Sequence, residues 1–277
     1  MKKRIILGAL SLCFLLSACK SEFEQLRASG DVQNIYKSAL RFYDEGEYQK
    51  AQTLFELIIS SFRGQREAEE IYFKYAYTYY NLEQYLLASY YFKNFANTYA
   101  TSDFREEADF MAAYSHYKLS PTFRLDQTYS EQAIEEFQLF VNTYPNSERA
   151  NECNNLIDGM RKKLEIKAYE SAKLYFDLRD YQASIQSFDN VLKDFPDTEN
   201  AEQIRYMIAK SAYLLAKNSF VEKQKERFEV ARDRSAEFMK RYPNSSFSKE
   251  VANIHEESEK SLKELNNDRY QNQGSRT

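Results

Sequence analysis

Three versions of one short phrase divide the second half of this chain. Tyr-Pro-Asn-Ser occupies Tyr144–Ser147, Phe-Pro-Asp-Thr occupies Phe195–Thr198, and Tyr-Pro-Asn-Ser returns at Tyr242–Ser245. The prolines, Pro145, Pro196 and Pro243, lie 51 and 47 residues apart. Recurrence on that scale means one structural unit used several times, with each copy burying its apolar face against the next. Small and aromatic residues also recur at helical spacing. Ile35, Ala39 and Phe42 share one helical face, and Tyr48, Ala51, Phe55 and Ile58 follow after Gly46.

This order of small and aromatic residues resembles the tetratricopeptide pattern, a unit of about 34 residues folded as two antiparallel helices. A second copy holds Ala76, Tyr79, Tyr85, Ala88, Phe92 and Phe95. A third opens at Ala113 and Tyr117 and resumes, eight residues late, at Ala133, Phe137 and Phe140. A fourth holds Ala172, Tyr175, Tyr181, Ser184, Phe188 and Val191. The fifth is the loosest, with Ala209 and Tyr213, a long connection, then Ala231 and Phe238. The chain has only 6 glycines and 4 prolines, which suits long helices. With 16% aromatic residues it is too ring-rich for disorder, despite a mean hydropathy of -0.71. The expected fold is all-α: a tetratricopeptide-type solenoid of about five helical hairpins over 34–265, closed by a polar C-terminal capping helix, with a flexible tail at 266–277.

Proline cannot continue a helix, so each phrase ends the second helix of a repeat. The Asn-Ser or Asp-Thr that follows the proline offers a side-chain oxygen to cap the next helix. In the tetratricopeptide frame, first-helix positions five, nine and twelve face a concave groove. Position five is Tyr36, Phe73, Phe110, Tyr169 and Tyr206, and position twelve is Tyr43, Tyr80, Tyr117, Phe176 and Tyr213. Position nine changes character, from Leu40, Tyr77 and Tyr114 to Lys173 and Lys210. The candidate peptide-binding groove is therefore Tyr36, Tyr43, Phe73, Tyr77, Tyr80, Phe110, Tyr114 and Tyr117. Rings at positions five and twelve also suit plain packing between repeats. Those at position nine, Tyr77 and Tyr114, invite contact with an extended peptide, because exposed rings call for a cover and tyrosine offers a polar tip.

The N-terminus has a different logic. Lys2, Lys3 and Arg4 precede the apolar run Ile5–Ala18, the layout of an export signal and too short for a comfortable membrane span. Its ending, Leu16-Ser17-Ala18-Cys19, resembles the bacterial lipobox. The resemblance implies cleavage after residue 18, acyl chains such as palmitate on Cys19, and a tether over 19–33. Several acyl chains hold a protein firmly on a bilayer. Cleavage leaves 35 basic against 42 acidic residues, a balance of -7, and Cys153 as the one other cysteine, so no internal disulfide forms. Lys20-Ser21 after the cysteine lacks the Asp retention signal, which favours the outer membrane.

Catalytic motifs do not appear. There is no HExxH, paired CxxC, phosphate-binding Gly loop or GxSxG, so the reading holds no active site, no metal and no cofactor. His116 falls at a helix-packing slot, Cys153 reads as a buried spectator, and Glu69-Glu70 and Glu106-Glu107 open helices where carboxylates suit the dipole. The acidic balance and lack of a basic run give no case for nucleic acid.

The third repeat is the most specific part. The insertion Ser120–Ser130 leads into "FRLDQTYSEQAIEEFQLFVNTYPNSERA", and Arg124, Asp126, Gln127, Ala133, Phe137 and Tyr144–Ser147 resemble the BamD family of outer-membrane lipoproteins. That resemblance, over roughly residues 19–260, implies a lipid-anchored periplasmic scaffold of the β-barrel assembly machinery. Its N-terminal repeats would receive the C-terminal segment of unfolded barrel proteins. Its C-terminal repeats would hold the barrel subunit's periplasmic domains, with Arg205, Lys210, Arg232 and Arg234 as charged contributors. Two other classes remain open from the residues alone. One is a periplasmic adaptor in cell division or wall synthesis; the other is a surface lipoprotein that stacks sugars on its rings.

Overall fold

Ala39, Ala51, Ala76, Ala88, Ala113, Ala133, Ala172, Ser184, Ala209 and Ala231 are all at 0% exposure. These are the small residues that the five-copy frame picked out. Only a methyl or hydroxymethyl side chain lets two helix backbones approach this closely. The rings that follow them, Phe55, Phe92, Phe137 and Phe188, are also at 0%, and Phe238 is at 1%. The protein, described by a computed structural model over residues 22–274, is all-α: twelve helices and no strand among the described residues. The signal at 1–18 and Cys19 lie outside the described residues.

The chain divides into two units. The first holds the described part of Met1–Pro121 together with Leu125–Met160, and the second holds Thr122–Arg124 with Arg161 onward. In the first unit, α1 (Glu22–Ala28) leads into three hairpins: α2 (Val32–Asp44) with α3 (Tyr48–Ile58), α4 (Glu67–Asn81) with α5 (Tyr85–Thr98), and α6 (Arg105–Leu119) with α7 (Thr128–Thr143). From α2 to α7, each helix packs on its successor. Helix α8 (Ala150–Asp177) contributes residues to both units. In the second unit, α8 and α9 (Tyr181–Asp194) form a fourth hairpin around Ala172 and Phe188, and α10 (Ala201–Lys217) with α11 (Val221–Arg241) form a fifth. Helix α12 (Ser248–Gly274) packs on both α10 and α11.

Three of the five turns between paired helices close with the same pair of backbone hydrogen bonds. Gly46, Glu83 and Arg179 all have positive φ, of 77°, 58° and 62°. At Gly46 the two closing bonds are Gly46 N–H to Tyr43 O and Glu47 N–H to Phe42 O. Glu83–Gln84 and Arg179–Asp180 make the same pair to Tyr80 and Tyr79, and to Phe176 and Tyr175. This is the left-handed stop that glycine makes most easily. Two of the three copies use it without glycine.

At the turns between repeats, the hydroxyl that closes each proline phrase does not cap the first turn of the next helix, as expected, but holds the turn just ahead of it. The hydroxyls of Ser147, Thr198 and Ser245 accept the backbone N–H two residues on, at 3.1, 3.1 and 3.0 Å. Ser102 does the same for Phe104 at 3.0 Å, without a proline phrase. Three of these hydroxyls also donate to a carboxylate on the same repeat's first helix: Ser102 to Glu69 and Ser147 to Glu106 at 2.5 Å, both in the helix's first turn, and Thr198 to Glu165 at 2.6 Å, midway along the longer α8.

Three expectations change. The stretch read as a tether contains α1, whose Leu26 lies in the core cluster of Ile35 and Phe42, and α2 begins at Val32 behind the Asp31 cap. The fifth repeat is not loose: after a three-residue turn, its extra residues lengthen α11 to 21 residues. Glu, Lys, Gln and Arg dominate that stretch and are strong helix formers, so added length becomes added turns. Helical backbone also continues past residue 265, where a tail was expected.

Candidate functional site

The first helices of unit 1 set aromatic side chains one turn apart, so their rings meet within a helix and across to the next. Phe73 lies 5.1 Å from Tyr77, and Tyr77 lies 6.4 Å from Tyr80. Tyr80 reaches Tyr114 on the next repeat at 6.3 Å, and Tyr114 stacks on Phe110 at 5.4 Å and tilts against Tyr117 at 5.5 Å. Six of the eight groove residues thus form one connected ladder. Tyr43 packs on Tyr48 and Phe55 instead, under the Lys74 ammonium at 4.4 Å, and Tyr36 packs on Phe62. Seven of the eight are half-buried; Phe110 is fully covered at 2% exposure. The rings shield one another, with Phe104 stacked on Phe73 at 4.7 Å.

Their hydroxyls are committed across repeats. Tyr36 donates to Glu70 at 3.1 Å, and Tyr77 donates to Glu107. Burial first, then the adjacent Glu70, pushes the Tyr36 phenol up to about 12. Burial also pushes Tyr43 up to about 12, and burial with Glu107 raises Tyr77 further. These phenols stay neutral donors at any physiological pH. Glu107 also meets Arg149 at 3.7 Å, and the Arg149 guanidinium covers the Phe110 ring at 4.2 Å. Glu70 and Glu107 therefore do more than oppose a helix dipole: they fix ring orientation between repeats. Sequence reasoning missed that role, although their shared place three residues before the position-five rings Phe73 and Phe110 was a usable signal.

In unit 2, position nine is lysine and the hydrogen-bonding pattern persists with new partners. Tyr206 donates to Glu250 at 2.8 Å, and Lys210 donates to Tyr206 at 2.9 Å while pairing with Glu250 at 3.0 Å. The four candidate interface cations each have a carboxylate partner within the unit. Arg205 meets Glu237 at 3.6 Å, Arg234 meets Asp189 at 2.8 Å, and Arg232 grips Asp233 through two nitrogens at 2.9 and 2.8 Å. Arg205 and Arg234 border one small crevice with Glu237 and Phe238; Lys210 and Arg232 sit elsewhere. Several apolar side chains of this unit are left exposed: Leu174, Leu178, Phe220 and Val221, at 56%, 67%, 86% and 67%.

His116 is buried, with Nδ1 2.8 Å from Glu136, which also takes the Lys93 ammonium. Burial would raise the Glu136 carboxyl, but hydrogen bonds from His116 and Lys93 outweigh it and hold the group below the usual carboxylate range. Cys153 is buried, and burial pushes its thiol up to about 11. The insertion is a built loop. Asp126 accepts the Thr128 N–H at 2.9 Å, and the buried Gln127 amide donates to Leu125 O at 3.0 Å and accepts from Ser130 at 2.8 Å. Among the described residues, no cluster of His, Cys, Asp and Glu could hold a metal ion, and no helix is long and apolar enough to cross a membrane.

The chain matches the family described as YfiO, outer membrane lipoprotein, over residues 28–219. It belongs to that family. The match takes in unit 1 from the end of α1 onward, the insertion, α8, α9 and α10. No curated protein sequence matches this lipoprotein. A solved structure of a putative kinesin light chain with nearly identical TPR-like repeats, from Podosopora anserina, is similar at 13% identity over 78% of this chain and 99% of that one, with a TM-score of 0.33.

Proposed function

We propose that this outer-membrane lipoprotein is a non-catalytic periplasmic scaffold of the BamD type, acting in β-barrel protein assembly. Acyl chains on Cys19 would hold it to the membrane. Unit 1 receives the C-terminal segment of an unfolded barrel protein, and unit 2 docks the periplasmic domains of the barrel subunit. The ladder from Phe73 to Tyr117 is the observation that carries this reading. Segments that alternate apolar and aromatic residues place every second side chain on one side of an extended backbone, and a run of rings offers each a matching surface. The change from Tyr77 and Tyr114 to Lys173 and Lys210 falls between the two units, which fits a division of labour.

The test is a pull-down of the detergent-extracted full chain, with co-purified proteins identified by mass spectrometry. A large β-barrel protein with soluble periplasmic domains should come down in near-equal amount. Tyr77→Ala and Tyr114→Ala should then weaken capture of a C-terminal barrel segment while leaving the barrel subunit bound. Division or wall-synthesis enzymes, recovered without a barrel protein, would overturn the assignment.

A further inference from the structure

Beside the aromatic ladder lies a crevice of ≈ 630 Å³, lined by Arg66, Glu67, Glu69, Glu70, Asp103 and Phe104. It is joined to the ladder through one side chain, since Phe104 lines the crevice and also stacks on Phe73. Four carboxylates face a single guanidinium there. Glu69 and Glu70 each accept one hydroxyl, from Ser102 and Tyr36, which leaves oxygen lone pairs on both. Among the described residues, the carboxylates of Glu67 and Asp103 have no hydrogen bond or ion pair. The opposite end of the ladder carries a cation: Tyr80 meets Tyr85 at 5.4 Å, and the Lys118 ammonium lies 5.6 Å from the Tyr85 ring centre. Between these two ends Glu107 and Arg149 pair with each other, so the unbalanced charge of the ring-lined face is the acidic crevice beside Phe73 and the Lys118 ammonium beyond Tyr80.

We propose that this polarity selects the sequence and direction of the bound peptide. The partner is an extended segment whose aromatic side chain lies on Tyr77, Tyr80 and Tyr114, whose Lys or Arg enters the acidic crevice, and whose terminal carboxylate points toward Lys118. Ten residues of α4 separate Glu70 from Tyr80, about 15 Å of helix, which an extended peptide spans in about four residues. The basic residue therefore lies about four positions before the C-terminal aromatic one. A segment running the other way would bring its carboxylate against four like charges. The inference rests on the proposed peptide-receiving role of unit 1 and adds the chemistry of the ligand to it.

Fluorescence anisotropy on the detergent-extracted full chain tests it with labelled ten-residue peptides of alternating apolar residues. One peptide ends in a Phe carboxylate with Lys four positions earlier; a second has Glu in place of that Lys; a third is the Lys peptide with an amidated end. The Lys peptide should bind about fivefold to tenfold more tightly than the Glu peptide, as expected for two or three exposed charge pairs, with the difference shrinking as salt rises. Amidation should weaken binding. In the Glu67→Lys, Asp103→Lys double variant, the preference for Lys over Glu should vanish or reverse. Equal binding of the Lys and Glu peptides would overturn the inference and leave the receiving role standing. If none of the three bound, the receiving role would fail, and the inference with it. The peptide comparison needs no protein variant, so misfolding of the double variant could not mask the answer.

Discussion

Thr198 offers the sharpest test of what holds the repeats in register. Its hydroxyl donates to Glu165 at 2.6 Å and accepts the Asn200 N–H at 3.1 Å, and Glu165 is only 7% exposed. Thr198→Val keeps the shape and removes both bonds. A hydrogen bond to a charged group contributes about 1.5–3 kcal/mol, and leaving a buried carboxylate short of a donor costs in the same range, so unit 2 should lose about 3 kcal/mol. Ser147→Ala removes the same two bonds at the preceding turn, but Ser147 and Glu106 meet at an exposed site, so its cost should stay below about 1 kcal/mol. Burial outweighs bond count here. Glu165 also adds a pH signature. Burial alone would raise its carboxyl, but Thr198, Lys162 and Asn200 hold it below the usual range. A folded-state value below the unfolded one contributes stability above the unfolded value of about 4.3, and that stability is lost as pH falls through the folded value. The gap between wild type and Thr198→Val should therefore be widest at neutral pH and narrow below about pH 4. Urea titration by far-ultraviolet circular dichroism gives the size of the gap, and hydrogen exchange in α10 assigns it to unit 2. A gap equal to that of Ser147→Ala, or one unchanged with pH, would refute the reasoning.

Glu83→Gly and Arg179→Gly should each stabilise the protein by about 0.5–1 kcal/mol, read as a rise in Tm, because both positions hold a left-handed backbone that costs a side-chain-bearing residue about 1 kcal/mol. Ala88→Leu should destabilise by about 1–3 kcal/mol in urea titration, since Ala88 has no exposed surface and the added carbons must push two helices apart. Cys153, with its thiol pushed up to about 11, should resist iodoacetamide at pH 8 in the folded chain and react readily in urea, as mass spectrometry would show.

Ala39, Ala88, Ala172 and their counterparts were legible because a helix crossing admits nothing larger, so the same residue type returns at the same offset. The proline phrases were legible because proline forbids helix continuation whatever surrounds it. The left-handed turn was legible at Gly46 but not at Glu83 or Arg179, where surrounding structure imposes a backbone that local sequence does not announce. The extra length of the fifth repeat breaks the register of small and aromatic residues and so reads as a connection, although its Glu, Lys, Gln and Arg favour helix. Phe104 escaped notice as a ring of the ladder because it lies outside the repeat frame, in the turn that opens α6.

The charged residues of unit 2 show the limit most clearly. Arg205, Lys210, Arg232 and Arg234 read in sequence as cations that repeats four and five offer a partner, yet each is matched in its own unit, by Glu237, Glu250, Asp233 and Asp189 respectively. A cation already paired gains little from a second carboxylate, because binding must first weaken an existing contact. An exposed side chain such as Phe220 has the opposite balance: covering it returns apolar surface from water and breaks nothing. The docking proposed for unit 2 should therefore draw on exposed apolar side chains such as Phe220 before it draws on the four cations. Charge reversal at Arg232 should leave barrel-subunit capture within about twofold of wild type, as expected for an exposed ion pair, whereas Phe220→Asp should abolish it. The opposite result in the same pull-down would return the interface to the charged residues.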